Sequence, residues 1–283
     1  MVGRGSSHAS PPRRTLSHRE IIMQDYKTLR LERSEGIATV TIDRPDQLNA
    51  LNTDTIAELE RVVRSIEDDD EVRGAIVTGA GTKSFVAGAD INELATMTPV
   101  TGVDLSRRGQ EVFRRIELSR KVFVAAVNGF ALGGGCELAL ACHLRVASTD
   151  ARFGFPEVKL GLLPGYGGTV RLPRIIGKGR ALEMILSGDM VEADEARTMG
   201  LVNRVVPPAG LMDAAREIVS RIVANGPLAV GLAIESTTRG METSIEDALA
   251  LESTFFGLLA STADLKEGVS AFLEKRRPVF GGR

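Results

Sequence analysis

Tryptophan is absent from the 283-residue sequence, and tyrosine, histidine and cysteine are scarce, with two, three and two residues. His8 and His18 lie near the N-terminus, which leaves His143 as the remaining histidine, and the sequence has no cluster of histidines and cysteines. A zinc site needs such a cluster, so we expect no metal. A serine nucleophile would have to recruit His143, and no nucleophile-elbow sequence supports it. Zinc enzymes and triad hydrolases are therefore not favoured, and His143 is interpreted as a surface or core residue.

A charge excess of either sign is also missing, since 35 Lys and Arg residues oppose 37 Asp and Glu residues. This balance does not favour binding to nucleic acid or to a membrane surface. No apolar run approaches the ~20 residues of a membrane-spanning helix, so no membrane association is expected. Cys136 and Cys142 lie in one predicted helix and do not face each other well enough for a disulfide. A reducing compartment, the cytoplasm, is therefore predicted.

Residues 1–22 differ in composition from the rest of the chain. They are rich in serine and arginine, and no acid precedes Glu20. Such a composition suits a mitochondrial transit peptide, which would place the protein in the mitochondrial matrix. Pro11 and Pro12 would break the amphipathic helix of a transit peptide, however, and apolar residues are few. We therefore interpret residues 1–22 as an unpacked N-terminal extension, with Met23 as the effective beginning.

Short β-rich stretches alternate with helical patterns in the first two thirds of the chain. Strands are expected at residues 37–42, 75–78, 122–127 and 143–148. Thr55 and Glu58 have the spacing of a capping box at the start of one helix, and another helix is expected to begin near Asp104. Helical patterns dominate after residue 169, at residues 179–187, 192–199, 210–224, 227–239, 244–259 and 263–275. This order predicts an α/β fold, in which helices bury a parallel sheet.

A glycine-rich turn follows the apolar stretch 122–127. Gly129, Gly133, Gly134 and Gly135 precede a predicted helix, and Glu137 lies in its first turn. Glycines allow a bound group to approach the backbone, and the free N–H groups at a helix start favour negative charge. The spacing is not that of a dinucleotide-binding turn or of a P-loop. A carboxylate beside a stabilised anion predicts proton chemistry at this turn.

Glu157 is a second carboxylate in a glycine- and proline-rich frame. It follows Pro156 and precedes Pro164 and Gly165, so rigid turns flank it on both sides. Each glutamate also has a simpler interpretation, because Glu137 suits an exposed helix start and Glu157 suits a solvated loop. The residues alone leave both interpretations open.

Seven blocks of sequence carry a resemblance that covers residues 26–283. They lie at residues 44–51, 85–91, 125–139, 153–157, 164–169, 196–202 and 271–276. In this order they are similar to the crotonase (enoyl-CoA hydratase/isomerase) family, which hosts several reactions on one scaffold. The resemblance implies a crotonase-like spiral of ββα units, with residues 23–205 forming the core and residues 206–283 a C-terminal helical region. It also implies a homotrimer or a homohexamer, an acyl-CoA substrate, and no metal or redox cofactor.

The resemblance also implies roles for individual residues. Glu137 and Glu157 would be the catalytic acids, and the N–H groups of Ala89 and Gly134 would form an oxyanion hole for the thioester oxygen. The residues expected to contact substrate, water or CoA are Ala50, Leu51, Ala87, Asp90, Ile91, Gly165, Phe272 and Lys275.

The presence of both glutamates favours enoyl-CoA hydration within the family. Enoyl-CoA isomerisation is the nearest alternative, and a non-catalytic or RNA-binding family member is a more distant one. Acyl-chain length is not predicted, because the pocket wall would come from the poorly patterned residues 92–120.

Overall fold

The computed structural model describes residues 26–283, so the predicted N-terminal extension lies outside the described residues. Its strands form two sheets. The strands are β1 (Leu29–Ser34), β2 (Ile37–Ile42), β3 (Gly74–Gly79), β4 (Ser84–Val86), β5 (Val122–Val127), β6 (Phe130–Leu132), β7 (Leu144–Ser148), β8 (Arg152–Gly154), β9 (Met190–Glu192) and β10 (Arg204–Val206). The larger sheet has the order β1-β2-β3-β5-β7-β10, and the smaller has the order β4-β6-β8-β9.

The two sheets advance together along the chain. Each of β3, β5 and β7 is followed within a few residues by a short strand of the smaller sheet, and the chain then returns through helices. Strands β3, β5 and β7 pair in parallel, and so do β4, β6 and β8. This arrangement is a spiral of ββα units, which confirms the predicted α/β fold class.

The helices connect successive turns of the spiral and then continue beyond it. They are α1 (Thr53–Glu67), α2 (Ile91–Ala95), α3 (Pro99–Leu118), α4 (Gly134–Ala141), α5 (Gly168–Ile176), α6 (Lys178–Ser187), α7 (Ala193–Thr198), α8 (Leu211–Val223), α9 (Pro227–Gly240), α10 (Ile245–Leu259) and α11 (Ala263–Leu273). The six helices predicted after residue 178 all form, within two residues at each end.

The side chains of β5 alternate between the two faces of the larger sheet and belong to a different apolar cluster on each face. Phe123 and Ala125 belong to the main apolar cluster, whereas Val122 and Val124 belong to a second cluster that includes α8. Successive strand residues point to opposite faces, so a continuous apolar run is what a strand covered on both sides requires. The site described below lies at the end of this strand.

The predicted capping box was wrong, and two element boundaries differ from expectation. Helix α1 begins at Thr53, where the Asn52 side chain accepts a hydrogen bond from the N–H of Thr55 at 2.9 Å. Glu58 is buried and accepts instead from Thr28. Helix α3 begins at Pro99 rather than near residue 104, because Thr98 forms a capping box there. Strand β4 lies between the expected strands at residues 75–78 and 122–127, where no strand was predicted.

Over residues 26–283, no single helix is both long and apolar enough to span a membrane. One bent pair of helical segments, Pro208–Val223 and Pro227–Gly240, meets the length and composition test when taken together, with an angle of 105° between them.

Candidate active site

Both predicted acids and both predicted amide donors line one cavity of about 870 Å³. Ala89 and Gly134 lie on two different turns of the spiral, and Glu137 and Glu157 lie on α4 and on the short 3₁₀ helix Pro156–Leu160. The rest of the wall is mainly apolar and comes largely from residues 91–110 and 160–166. The first of these stretches falls in the region that was expected to form the pocket wall, whereas of the second only Gly165 was predicted.

A backbone bridge holds the Ala89 segment in place. The N–H of Leu51 donates to the carbonyl of Gly88 at 2.8 Å, and the N–H of Asp90 donates to the carbonyl of Leu51 at 2.8 Å. Arg44 binds the Asp90 carboxylate at 2.9 Å and also the carbonyl of Ala50. Within residues 26–283, the N–H of Ala89 has no protein acceptor. It is therefore held ready to donate to a bound group.

The three consecutive glycines each meet a different requirement. Gly133 has φ +49° and ψ −120°, and a Cβ there would lie 2.5 Å from Oε1 of Glu157. A Cβ on Gly135 would lie 1.9 Å from the carbonyl oxygen of Val86, so α4 packs directly on β4. Gly134 is the first residue of α4, where an N–H has no acceptor within its own helix.

Glu137 is a buried carboxyl with two backbone donors. Its Oε1 accepts from the N–H of Tyr166 at 2.8 Å and from the N–H of Gly168 at 2.7 Å. Burial raises the pKa of Glu137, the two amides oppose that rise, and the neighbouring charge of Glu157 adds to it, which brings the pKa to about 7. Glu137 is therefore poised to exchange a proton near neutral pH.

Glu157 is in a different environment. Its carboxyl lies against Gly133, and its Oε2 is buried without a hydrogen-bond partner among residues 26–283. Burial raises the pKa of Glu157 as well. An unpartnered buried oxygen favours the neutral acid over the carboxylate.

The other predicted contact residues divide into two groups. Ala87, Ile91 and Gly165 line the cavity. The rest do not, since Ala50, Leu51 and Asp90 support the Ala89 segment, and Phe272 and Lys275 lie at the end of α11 on the surface. The roles assigned to these residues at CoA stay predictions.

Sequence reasoning missed the groups that surround Glu137. Tyr166 and Gly168 donate to it, and Ser106 and Gln110 line the same cavity. The glycines at 165, 167 and 168 were a usable signal, because a backbone that must bring several N–H groups to one point needs small residues. Ser106 and Gln110 carried no such signal, since they lie within a polar helix.

No group of three or more His, Cys, Asp or Glu side chains that could hold a metal occurs in the part of the chain from residue 26 onward. His143 serves the fold instead. Its Nδ1 accepts from the N–H of Phe123 at 2.9 Å, and burial lowers its pKa to about 4, so it is neutral at physiological pH.

Comparison with known proteins agrees with this geometry. The family model described as enoyl-CoA hydratase/isomerase matches residues 32–283. A short-chain-enoyl-CoA hydratase of Clostridium acetobutylicum is 52% identical over 247 residues, which cover 87% of this chain and 95% of the relative. A crotonyl-CoA hydratase of Syntrophomonas wolfei is 47% identical over 90% of this chain and 98% of its own. A crystal structure of an enoyl-CoA hydratase from Bacillus anthracis superposes with a TM-score of 0.88 at 37% identity, over 91% of this chain and 100% of that one. The chain therefore belongs to the enoyl-CoA hydratase/isomerase family.

Proposed function

We propose that this protein is an enoyl-CoA hydratase, a hydro-lyase that reversibly adds water to a trans-2-enoyl-CoA to give a 3-hydroxyacyl-CoA. The observation that carries the proposal is the convergence of two carboxyls, the buried one of Glu137 and the half-buried one of Glu157, and two unbonded amides on one mainly apolar cavity. The names of the two relatives, which specify short-chain and crotonyl substrates, support a short acyl group.

The two amides would act on the thioester oxygen. Addition of water at the β-carbon places negative charge on that oxygen as an enolate forms. The N–H groups of Ala89 and Gly134 would stabilise this charge, and each such donor is worth about 10²–10³ in rate. Because both donors are backbone groups, side-chain changes at these two positions would act mainly through their size.

The two carboxyls would move the protons. Glu137 would accept a proton from water as its oxygen bonds to the β-carbon, and Glu157 would give its proton to the α-carbon. The hydrogen bonds support this division, because two amides stabilise a carboxylate at Glu137 whereas Oε2 of Glu157 has no partner in the described chain. The N–H of Gly165, on the same wall, would help to place the water. The reaction consumes no redox equivalent, so we propose no cofactor beyond the CoA of the substrate.

Phe272 and Lys275 would contact CoA across a subunit boundary. They lie outside the cavity lining, and Phe272 is 83% exposed. Several large apolar side chains lie in the same region, and we name them the C-terminal apolar surface: Phe256, Val269, Phe272, Leu273 and Val279. We propose that this surface packs against neighbouring copies in a trimer or a pair of trimers, which brings α11 to a neighbour's substrate.

The test is turnover of crotonyl-CoA, followed as loss of the absorbance of its conjugated enone. Glu137→Gln and Glu157→Gln should each lower kcat by about 10²–10⁴, the usual contribution of a general acid or base. Glu183→Gln, at an exposed position on α6, is the matched control and should keep wild-type turnover. Near-normal turnover by either cavity variant would refute the two-carboxylate mechanism. Conversion of a 3-enoyl-CoA without hydration would instead identify an isomerase.

A further inference from the structure

One peptide unit beside Glu137 is hydrogen-bonded at both ends. The carbonyl of Gly165 accepts from Oγ of Ser106 at 2.6 Å and from Nε2 of Gln110 at 2.9 Å. The amide of the same unit is the N–H of Tyr166, which donates to Oε1 of Glu137 at 2.8 Å. Two side chains of α3 are therefore connected to the carboxylate through a single planar group.

The contact between α3 and this loop is close. Ser106 and Gln110 are four residues apart, so they lie on the same face of the helix, and Nε2 of Gln110 also donates to Oγ of Ser106 at 3.0 Å. A Cβ on Gly109, which lies between them in the sequence, would come within 2.3 Å of Cδ1 of Tyr166. The helix thus leaves the loop little room to move away from Glu137.

Hydrogen bonds to a carbonyl strengthen the amide of the same peptide unit as a donor. Resonance couples the two ends, and successive hydrogen bonds in a chain polarise one another, which strengthens each by roughly 10–30%. The bonds from Ser106 and Gln110 also fix the direction of the Tyr166 N–H. Both effects favour the charged form of the carboxyl that this N–H contacts.

We propose that Ser106 and Gln110 are positioning residues that hold the peptide between Gly165 and Tyr166, so that its N–H keeps Glu137 in the carboxylate form required of the base. This inference rests on the proposed function and adds to it the control of that base. Neither side chain needs to touch the substrate for this role, although both line the cavity.

Other charged and titratable groups also face Glu137. Glu157 lies across the cavity, Arg107 lines it from α3, and the thiol of Cys136 adjoins Glu137 on α4. From α5, the guanidinium of Arg171 donates to the carbonyl of Tyr166 at 2.9 Å and pairs with Glu117. The substitutions proposed below leave all of these groups in place, so any change can be assigned to the peptide.

The experiment measures kcat/KM for crotonyl-CoA as a function of pH. In the wild type, activity should fall below about pH 7 as Glu137 becomes protonated, since the base must be ionised. The double variant Ser106→Ala, Gln110→Leu removes both bonds to the Gly165 carbonyl, so the N–H of Tyr166 becomes a weaker donor and the pKa of Glu137 rises. The acidic limb of the pH profile, which is the fall in activity at low pH, should therefore move upward by about half a pH unit. KM, measured at a pH above this fall in activity, should stay unchanged in the double variant. The separate variant Ser106→Thr, which keeps the hydroxyl, should have the wild-type pH profile.

Ser84→Ala is the control, because it removes a serine hydroxyl that also donates to a carbonyl, that of Phe130 at 3.1 Å, but lies outside the cavity. Its acidic limb should stay in place. A raised KM with an unmoved limb would show direct substrate contact and would overturn the proposal, as would no change at all. Infrared difference spectra of the Glu137 carboxyl, taken against Glu137→Gln, follow the same titration without turnover. This readout separates failure of the inference from failure of the proposed function.

Discussion

At the scale of single residues, the site depends on a glycine whose backbone conformation and close contact leave no room for a side chain. Gly133 combines φ +49° with ψ −120°, and its missing Cβ leaves the space that the Glu157 carboxyl fills. The same residue donates to the carbonyl of Gly154 at 2.9 Å and accepts from the N–H of Glu137 at 2.9 Å. One glycine therefore joins the backbone of the segment before Glu157 to the backbone of the segment that carries Glu137.

Gly133→Ala should impair both stability and turnover. The backbone conformation should cost about 1–3 kcal/mol for alanine, and the methyl group would displace the Glu157 carboxyl. We expect unfolding at a lower denaturant concentration and a kcat reduced at least tenfold. Gly179→Ala is the matched control, because nothing lies within 4 Å of its Cβ position and it is exposed in α6. The control should be as stable as the wild type or more so, with unchanged kcat. A Gly133→Ala variant with wild-type kcat would contradict the packing argument.

The sequence predicted the two candidate acids of the cavity better than it predicted their hydrogen-bond partners. Glu137 and Glu157 stand out because glycine and proline surround them, and both reach the cavity. The donors to Glu137 are backbone N–H groups about 30 residues away in sequence, and any residue type supplies such a group. No residue pattern marks which amide folds onto which carboxyl, so that part of the site needed coordinates.

At the scale of secondary-structure elements, a buried glutamate joins the first strand to the first helix. Glu58 of α1 accepts from the N–H groups of Lys27 and Thr28, each at 2.9 Å, and from Oγ1 of Thr28 at 2.6 Å. Burial alone would raise the pKa of Glu58, but these bonds and the charge of Arg61 outweigh it and hold the pKa below its ordinary value. The interaction fixes where β1 begins.

Glu58→Ala should lower the free energy of unfolding by about 2–3 kcal/mol at neutral pH, because it leaves buried donors without an acceptor. A carboxyl with a depressed folded-state pKa stabilises the protein above its unfolded-state pKa of about 4.3, and this contribution is lost as the pH falls through the folded-state value. The difference from wild type in urea unfolding should therefore shrink on acidification below about pH 4. Glu60→Ala, which breaks only an exposed pair with Arg64, is the control and should change stability by less than about 1 kcal/mol. An equal loss in both variants would contradict this role for Glu58.

Element prediction succeeded where the apolar pattern was long and failed where it was short. The strand at residues 122–127 and the helices after residue 178 lie where their periodicity placed them. Strands β4, β6, β8 and β9 have three residues each, which is too few to show a period of two. They form because the preceding strands and helices bring them together, so the smaller sheet is a tertiary consequence of the larger one.

At the scale of the whole molecule, the C-terminal helices expose more apolar surface than their own packing explains. Within the C-terminal apolar surface, Phe256, Phe272 and Val279 are each at least 80% exposed. Together with Phe280 and neighbouring residues, Phe256 and Phe272 border a groove of about 440 Å³. A contiguous apolar area of this kind marks an interaction surface. The sequence showed that these helices exist, but it did not show which of their faces the spiral leaves uncovered.

We predict that copies of the protein associate through the C-terminal apolar surface. Light scattering coupled to size-exclusion chromatography should give three or six times the 30.3 kDa mass of the chain. Phe256→Glu would place a charge in an apolar contact, and it should shift the protein toward smaller species and raise the KM for crotonyl-CoA, because Phe272 and Lys275 would no longer reach a neighbour's CoA. Ala57→Glu adds the same charge on the exposed face of α1 and should leave mass and KM unchanged. A wild-type protein that is monomeric at micromolar concentration and fully active would show that the cavity of one chain holds the whole substrate unaided.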